Sequence, residues 1–282
     1  MSKGQVAAIL YDFDKTLSTK DMQEYAFIPG IGMTADEFWA KCDILTKKHN
    51  MDQILSYMYV MLNDARGKKL LNRDEFKKLG ESVELFLGVD SWFERVNSYA
   101  ENLGIEVEHY VISSGLKEII EGTPIAKYFK KVYAAEFMYD ESGVPVWPAM
   151  AVNYTSKTQF LFRINKGVLD VTDHAELNEY TPENERRIPF RNMIYIGDGF
   201  TDVPCMKLVK VNGGHSIAVY SNKKNTALNI MRQGRVDFIA NADYRENQKL
   251  EETVFRTLDL IKAKNVTEEM HILDTKSAEN ID

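Results

Sequence analysis

Short apolar runs of strand length recur along the chain, and several are followed directly by small or acidic residues and then by a helical pattern. Their hydrophobicity is nearly continuous rather than alternating, which is typical of parallel strands covered on both faces. The pattern therefore predicts an α/β fold, a doubly wound parallel sheet of Rossmann-like type. The predicted strands are VAAILY at 6–11, VEHYVI at 107–112, KVYAAEF at 131–137, NMIYI at 192–196, SIAVY at 216–220 and VDFI at 236–239.

A different pattern fills residues 20–88, which contain no strand-like run and several signals for helix starts. Thr34 and Glu37 form a capping-box pattern ahead of one helical segment. Asn50 and Asn72 stand where they can cap the starts of two further helices. This segment is predicted to be an all-helical cap domain, inserted after the first strand of the sheet.

The predicted core domain comprises residues 1–19 and 89–264. Within it, residues 137–154 alternate in polarity around an Asp-Glu-Ser-Gly turn, which predicts a hairpin beside the sheet. Residues 265–282 are polar and lose their apolar periodicity, so we expect a flexible tail there.

Composition narrows the class of partner. The 282 residues are 44% hydrophobic and 27% charged, as in an ordinary globular protein. The net charge is −7 and no run of five or six Lys or Arg occurs, which argues against a nucleic-acid partner. No apolar stretch is long enough to span a membrane, and the N-terminus does not resemble a signal peptide. Cys42 and Cys205 lack the spacing of a zinc site, so we expect a cytoplasmic protein with reduced thiols.

Acidic residues follow two of the predicted strands. Asp12 and Asp14 stand in YDFDKTL after the first strand, and Asp198 and Asp202 stand in GDGFTD after NMIYI. The carboxyl ends of strands are where ligands bind in open α/β sheets. Carboxylates that converge there repel one another unless a cation is present, and an all-oxygen site suits Mg²⁺. The alternatives are a loop whose acids cap the next turn, and Asp202 as an ordinary cap of the helix VPCMKLV.

Two further motifs can bind an anion. Ser113 begins SSGLKEII after a predicted strand, so its hydroxyl and the next amides are predicted to lie at a helix N-terminus, either binding an anion or simply capping the helix. The pattern also predicts a helix from Lys157 to Lys166 that ends at Gly167. The helix dipole favours a cation at Lys166 and disfavours one at Lys157, so Lys157 needs a negative partner. We therefore choose Lys157 over Lys166 as the functional lysine.

In order, DFDKT, ISSG, Lys157 and GDGFTD resemble the four motifs of the haloacid dehalogenase superfamily. The helical segment after the first motif and the hairpin before the third resemble its phosphoserine-phosphatase-like branch. The resemblance implies that Asp12 is the nucleophile and Asp14 the general acid and base. It also implies phosphoryl ligands at Ser113, Ser114, Gly115 and Lys157, Mg²⁺ ligands at Asp12, Asp198 and the backbone carbonyl of Asp14, and supporting roles for Thr16 and Asp202.

The expected function is a Mg²⁺-dependent phosphomonoester hydrolase that uses an aspartyl-phosphate and acts on a small phosphorylated metabolite. A phosphotransferase or mutase with the same intermediate, and a phosphate-binding scaffold without catalysis, stay open as alternatives. In phosphoserine phosphatases a glutamate nine places after the nucleophile contacts the substrate amino group, whereas this chain has Asp21 there, with Glu24 nearby. We expect Asp21 or Glu24 to bind a cationic substrate end and Arg66 an anionic one, unless Arg66 is a solvated surface residue.

Overall fold

The computed structural model describes residues 5–222 and 224–279, without the side chains of residues 184 and 279. Residues 1–4 of the predicted core and 280–282 of the predicted tail therefore lie outside the described residues. All six predicted strands are present, with ends shifted by a few residues. The strands are β1 (Gln5–Tyr11), β2 (Ile105–Leu116), β3 (Phe129–Tyr139), β4 (Pro145–Met150), β5 (Met193–Gly197), β6 (His215–Tyr220) and β7 (Phe238–Asn241).

These strands form one sheet in the order β4-β3-β2-β1-β5-β6-β7. Every neighbouring pair is parallel except β3 with β4. From β1 the chain continues to β2 and β3 on one side, and later to β5, β6 and β7 on the other. The strand order therefore reverses between β1 and β5, and in such sheets the crevice at the reversal is where ligands bind.

Helices surround the sheet, and both of its faces are buried. On β1, Ala7 and Ile9 belong to one apolar cluster, whereas Ala8 and Leu10 belong to the cluster on the opposite face. Two covered faces explain the continuous hydrophobicity of the strands. The helices are α1 (Phe27–Gly30), α2 (Ala35–His49), α3 (Gln53–Asp64), α4 (Arg73–Leu79), α5 (Val89–Asn102), α6 (Lys117–Glu121), α7 (Lys157–Lys166), α8 (Ala175–Asn178), α9 (Val203–Val211), α10 (Lys224–Arg232) and α11 (Lys249–Glu279).

Between β1 and α5 the chain is helical, as the pattern predicts. Its two ends run side by side, because Thr19 N donates to Glu84 O and Phe86 N donates to Leu17 O, both at 2.9 Å. The helices α1 to α4 bury Phe27, Phe38, Met58 and Phe76 in the same apolar cluster as one face of the sheet. This helical segment therefore packs on the sheet rather than standing away from it.

The helix caps in this segment follow the sequence with one exception. Thr34 and Glu37 form the predicted capping box, and the Asn72 side chain accepts from Glu75 N at 2.8 Å. Asn50 was predicted to cap the start of α3, and that prediction is wrong. Asp52 caps α3, while Asn50 ends α2 with a φ of 48°, a left-handed conformation that asparagine tolerates better than most residues.

The predicted hairpin is present at the edge of the sheet. β4 pairs antiparallel with β3, and the turn is closed by Asp140 N donating to Val144 O at 2.9 Å. Gly143 supplies the positive φ of 75° that this turn requires. The hairpin thus extends the sheet instead of lying beside it.

The flexible tail predicted over 265–282 is wrong for residues 265–279, which continue α11. This stretch contains no Gly or Pro that would end the helix, and its three Glu together with Met270, Leu273, Lys276 and Ala278 favour the helical state although most of the side chains are exposed. Within this stretch Glu269 accepts a hydrogen bond from Gln5 of β1 at 3.0 Å. None of the described helices, α11 included, is both long enough and apolar enough to cross a membrane.

Candidate active site

A cavity of about 510 Å³ opens at the carboxyl ends of β1, β2 and β5. Asp12 and Asp14 follow β1, Ser113 lies near the end of β2, and Asp198 follows β5. All four line this cavity. Asp12 N donates to Ile196 O at 2.9 Å, which ties the end of β1 to β5. The strand order thus assembles residues that are far apart in the sequence.

Lys157 is buried between two of the carboxylates. Its Nζ donates to Asp12 Oδ1 and to Asp202 Oδ1, both at 2.8 Å, and its side chain is 1% exposed. Burial by itself would lower the pKa of Lys157, but Asp12 and Asp202 outweigh burial and raise this pKa. The negative partner that the sequence requires for Lys157 is therefore present. Lys166, at the other end of α7, instead donates to the backbone carbonyls of Leu177 and Glu179.

Asp202 is buried and does not cap α9 with its side chain. Besides Lys157, the carboxylate accepts from Tyr195 Oη at 2.9 Å and from Gly199 N at 3.4 Å. A Cβ on Gly197 would lie 2.6 Å from the Asp202 carboxyl carbon, so only glycine allows this approach. The alternative interpretation of Asp202 as an ordinary helix cap is wrong, because its side chain holds Lys157.

The carboxylates of Asp12, Asp198 and Asp202 lie within 4.8 Å of one another and can hold a metal ion. Burial and the neighbouring Asp202 raise the pKa of Asp12 to about 6, although Lys157 acts against this. Burial, Asp202 and Asp12 raise the pKa of Asp198 to about 8. The values are raised first by burial and then by the neighbouring carboxylates, whose charge Lys157 does not fully offset, and the donors are all oxygens. The cluster therefore fits a hard divalent cation.

Asp14 lines the same cavity as Asp12 and Asp198. Its Oδ1 accepts from Met22 N at 2.8 Å, which joins the motif after β1 to the helical segment. Burial, followed by the charges of Asp21 and Asp12, raises the pKa of Asp14 well above its usual value. A carboxyl group with a raised pKa can carry a proton near neutral pH, as a general acid must.

Ser113 and Ser114 line the cavity, but not at a helix N-terminus. β2 continues to Leu116, and the five-residue helix α6 begins only at Lys117 without a side-chain cap. The prediction of an N-terminal helix position for Ser113 is therefore wrong, because the strand runs on through SSG. The Ser113 hydroxyl oxygen accepts from Gly115 N at 3.1 Å, which leaves the hydroxyl proton free to donate.

Gly115 and Thr16 lie behind the cavity surface rather than on it. A Cβ on Gly115 would lie 2.0 Å from Met22 Cε and 2.9 Å from Asp14 Oδ2, so a larger residue there would displace these two side chains. Thr16 is fully buried, and its hydroxyl has no hydrogen-bond partner within the described residues. Its carbonyl accepts from Tyr244 Oη at 2.7 Å, which fixes the loop after β1.

The three specificity residues predicted in the helical segment have different positions. Asp21 lines the cavity and forms an ion pair with Lys15. Glu24 lies behind the lining and accepts from Trp39 Nε1 at 2.9 Å. Arg66 is exposed in the turn after α3 and does not line the cavity, so its predicted role in binding an anionic substrate end is not supported by the geometry.

Several lining residues were missed by the sequence analysis. Lys15 stands inside DFDKT and has a φ of 59°, a strained conformation that no pattern indicates. Gln23 in the turn before α1 and the residues of α2 and α3 are brought here by the packing of the helical segment on the sheet. Tyr154 and residues 199–201 belong to the core, and residues 199–201 lie inside the motif GDGFTD itself. The remaining lining residues are Gln23, Trp39, Asp43, Gln53, Ile54, Tyr57, Tyr154, Gly199, Phe200 and Thr201.

Comparison with known proteins agrees with this geometry. The chain is 29% identical over 274 residues to an uncharacterized protein of Borreliella burgdorferi, a match that covers 87% of this chain and 94% of the relative. A haloacid dehalogenase family hydrolase of Salmonella enterica serovar Typhi superposes with a TM-score of 0.56 at 15% identity, over 88% of this chain and 69% of that one. A substrate-bound phosphoserine phosphatase superposes with a TM-score of 0.55 at 14% identity, over 89% and 97% of the two chains.

At such identities the solved structures show a shared fold, which is the one predicted from the sequence. The family itself is shown by a sequence model, that of the haloacid dehalogenase-like hydrolases, which matches residues 9–207. This range contains all four motifs. The chain therefore belongs to the haloacid dehalogenase-like hydrolases and shares the fold of phosphoserine phosphatases.

Proposed function

We propose that the protein is a Mg²⁺-dependent phosphomonoester hydrolase that forms an aspartyl-phosphate on Asp12 and acts on a small phosphorylated metabolite. The observation that carries this proposal is the lining of the cavity, which holds Asp12, Asp14, Lys157 and Asp198 together. A carboxylate nucleophile, an acid, a fixed cation and a metal ligand are the groups that phosphoryl transfer through a covalent intermediate requires.

In the first half-reaction, a carboxylate oxygen of Asp12 attacks phosphorus while the bond between phosphorus and the ester oxygen breaks. Asp14 gives its proton to the leaving oxygen, and its raised pKa supports this role. An ammonium has three donor hydrogens, and Lys157 uses two on Asp12 and Asp202, so the third is free for a phosphoryl oxygen. The Ser113 hydroxyl is a second donor to that group.

In the second half-reaction, Asp14 is a carboxylate and takes a proton from water. The water oxygen attacks phosphorus, the bond from phosphorus to Asp12 breaks, and orthophosphate leaves with Asp12 restored. Splitting one difficult displacement into two easier ones is the purpose of the covalent step.

Mg²⁺ is assigned to the carboxylates of Asp12 and Asp198, which lie in one cluster, and, from the family resemblance, to the backbone carbonyl of Asp14, while Asp202 holds Lys157 beside them. The bound ion would supply charge neutralisation for the phosphoryl group and for the crowded carboxylates. The raised pKa of Asp198 supports this assignment, because a bound cation would stabilise the charged form that burial and the neighbouring Asp202 and Asp12 disfavour.

The helical segment 20–88 acts in this proposal as a cap that excludes water and polymeric substrates. Two contacts support it: Tyr57 Oη donates to Ser114 O at 2.7 Å, and Asn153 Nδ2 donates to Asp52 Oδ2 at 3.0 Å. Each joins a helix of the segment to the core beside the cavity. Excluding water strengthens the electrostatic interactions inside a site.

A cytoplasmic location is part of the same proposal. Cys42 and Cys205 are both buried and unpaired. Burial raises the pKa of each thiol to about 12, so neither is a reactive thiolate near neutral pH. Free thiols of this kind are compatible with a reducing compartment.

The test is phosphate release from a panel of small phosphomonoesters, with and without Mg²⁺, by the wild-type protein and by Asp12→Asn. We expect Mg²⁺-dependent release that Asp12→Asn lacks. Adding a small alcohol as acceptor separates hydrolysis from transfer, because a transferase makes a new phosphoester at the expense of orthophosphate. Release that is equal in both proteins, or absent from every substrate, would reject the proposal.

A further inference from the structure

Asp202 holds Lys157 in place, and a second side chain holds Asp202. Lys157 Nζ and Tyr195 Oη both donate to Asp202 Oδ1, at 2.8 Å and 2.9 Å. The other carboxylate oxygen, Oδ2, accepts only from the backbone N–H of Gly199, at 3.4 Å, within the described residues. In the same part of the chain, Tyr195 is therefore the only side chain besides Lys157 that donates a hydrogen bond to this carboxylate.

The position of the Tyr195 hydroxyl is set by packing. Tyr195 lies on β5, is fully buried, and belongs to the apolar cluster that also contains Cys205 and Met206 of α9. Burial and the charge of Asp202 raise the pKa of Tyr195 well above its usual value, so the hydroxyl keeps its proton and acts as a donor. A phenylalanine would fill the same apolar space. The hydroxyl is therefore explained by its bond to Asp202 rather than by packing.

The bond from Tyr195 affects the active site through Asp202. Neither of these two residues lines the cavity, whereas Lys157 does. Lys157 Nζ lies between Asp202 and Asp12, so the orientation of the Asp202 carboxylate decides where the third hydrogen of the ammonium points. The proposed function needs that hydrogen for a phosphoryl oxygen. Without the bond from Tyr195, the carboxylate can rotate and draw Lys157 away from this position.

Tyr110 on β2 has the same environment but binds a different carboxylate. It is fully buried in the same apolar cluster, and its Oη donates to Glu108 Oε2 at 2.5 Å. Glu108 pairs with Arg187 and Lys130 and does not line the cavity. The two tyrosines therefore make equivalent hydrogen bonds, but only the bond from Tyr195 leads to Lys157.

We infer that Tyr195 is a positioning residue for phosphoryl transfer: its hydroxyl holds Asp202 so that Lys157 presents an N–H to the phosphoryl group. Tyr195 lies behind the cavity surface and acts through Asp202. This inference rests on the proposed phosphatase function. It adds a residue that lies outside the four sequence motifs.

A matched pair of variants tests the inference. Tyr195→Phe and Tyr110→Phe each remove a hydroxyl that donates to a buried carboxylate, so both should lower the denaturant midpoint of unfolding to a similar extent. The substrate is p-nitrophenyl phosphate with Mg²⁺, because its acidic leaving group needs no proton from Asp14. We expect Tyr195→Phe to lower kcat/KM about tenfold and Tyr110→Phe to leave it within about twofold of the wild-type value. Equal kcat/KM values for the two variants would overturn the inference and leave the phosphatase function standing.

The same substitution in a Lys157→Met background shows whether Tyr195 acts through Lys157. Because the ammonium is then absent, adding Tyr195→Phe should change kcat/KM by less than about twofold. A general effect on the fold would again lower kcat/KM about tenfold in this background. A full tenfold loss in the Lys157→Met background would therefore overturn the inference.

Binding of orthovanadate with Mg²⁺ present, measured by calorimetry, needs neither turnover nor the Lys157 variant. Orthovanadate resembles the phosphoryl group in charge and shape, so its Kd should rise about fivefold in Tyr195→Phe and stay unchanged in Tyr110→Phe. Equal Kd values in the two variants would overturn the inference. If this difference is found but the wild-type protein releases no phosphate from any substrate, the phosphatase function is rejected and the positioning role is supported.

Discussion

Two ionic clusters in this protein are built on buried carboxylates and have opposite balances of charge. In the first, one carboxylate faces an excess of cations: Glu108 on β2 binds Arg187 through both oxygens, accepts from Tyr110 Oη, and lies 3.3 Å from Lys130 Nζ. In the second, Asp12 and Asp202 share Lys157, and Asp198 lies beside them. Glu108, Asp12 and Asp202 are all buried, but the cations around Glu108 are exposed at the surface, whereas Lys157 is buried with its carboxylates.

Their pKa values move in opposite directions. Burial would raise the pKa of Glu108, but the hydrogen bonds from Arg187 and Tyr110 and the charge of Lys130 outweigh it and lower the pKa to about 2. The pKa values of Asp12 and Asp198 are raised to about 6 and about 8. A carboxylate whose charge is balanced by neighbouring cations, such as Glu108, stabilises the fold. Carboxylates that outnumber their cations, such as Asp12, Asp198 and Asp202 around Lys157, need a partner that the chain does not supply. The excess of carboxylates therefore identifies the cluster that binds ligands.

The largest expected effect comes from the nucleophile. Asp12→Asn keeps the shape of the side chain but replaces the attacking carboxylate by an amide, so kcat should fall by at least about 10³-fold. Steady-state phosphate release measures this, and circular dichroism checks that the fold is intact. Substantial activity in a pure Asp12→Asn sample would show that the covalent step does not use this residue.

The two ends of α7 provide a matched pair of lysines. Lys157→Met should lower kcat/KM by about 10²-fold or more, since it removes the phosphoryl donor and leaves Asp12 and Asp202 unpaired. Lys166→Met should leave kcat/KM unchanged and cost about 1 kcal/mol of stability, because Lys166, at the C-terminus of α7, binds only the backbone carbonyls of Leu177 and Glu179. If Lys157→Met does not fold, Lys157→Arg keeps the charge and tests the geometry. Reversed effects of the two lysines would mean that the wrong one has been assigned.

Glu108→Gln should destabilise the protein by about 1–3 kcal/mol without changing kcat, because it removes charge-assisted hydrogen bonds far from the cavity. The folded-state pKa of Glu108 lies below its ordinary value of 4.5. Its stabilising contribution is therefore complete above about pH 4.5 and is lost as the pH falls towards about 2. Denaturant unfolding of both proteins across this range measures the difference. A difference in unfolding free energy between the two proteins that grows as the pH falls would contradict the lowered pKa of Glu108.

Asp198→Asn should have the opposite effect on stability. Without Mg²⁺ it relieves repulsion in the crowded cluster, so its melting temperature should be equal to or above that of the wild-type protein. With Mg²⁺ at about 100 times its Kd, the wild-type protein should gain about 2.7 kcal/mol and the variant much less. Thermal unfolding with Mg²⁺ and with EDTA compares the two. If Mg²⁺ does not stabilise the wild-type protein, the proposal that this cluster binds Mg²⁺ is wrong.

The fold and the catalytic cluster could be predicted from sequence because their signals are local. Buried parallel strands need unbroken apolar runs, and Asp12, Asp14 and Asp198 stand directly after such runs. Lys157 could be chosen over Lys166 because the dipole of one helix treats its two ends differently.

Apart from Asp21, the lining residues that the helical segment contributes could not be predicted, because they meet only through packing. Asp43 and Gln23 are unremarkable in the sequence, and their place in the cavity lining follows from how the helical segment packs on the sheet. Arg66 was chosen for its charge alone, and charge does not tell where a turn points. The predictions for Ser113 and for residues 265–279 were wrong for another reason. In both places glycine or polar residues indicated the end of an element. Strand pairing nevertheless continues β2 to Leu116, and helix propensity continues α11 to Glu279.

The most direct test of the central claim is to find the phosphoryl group on the protein. Wild-type protein with Mg²⁺ and a good substrate is quenched in acid within one turnover, digested and analysed by mass spectrometry. We predict one phosphoryl group per chain on Asp12, which disappears as orthophosphate is released and is absent from Asp12→Asn. A phosphoryl group on another residue, or turnover with no phosphorylated protein at any time point, would contradict the account.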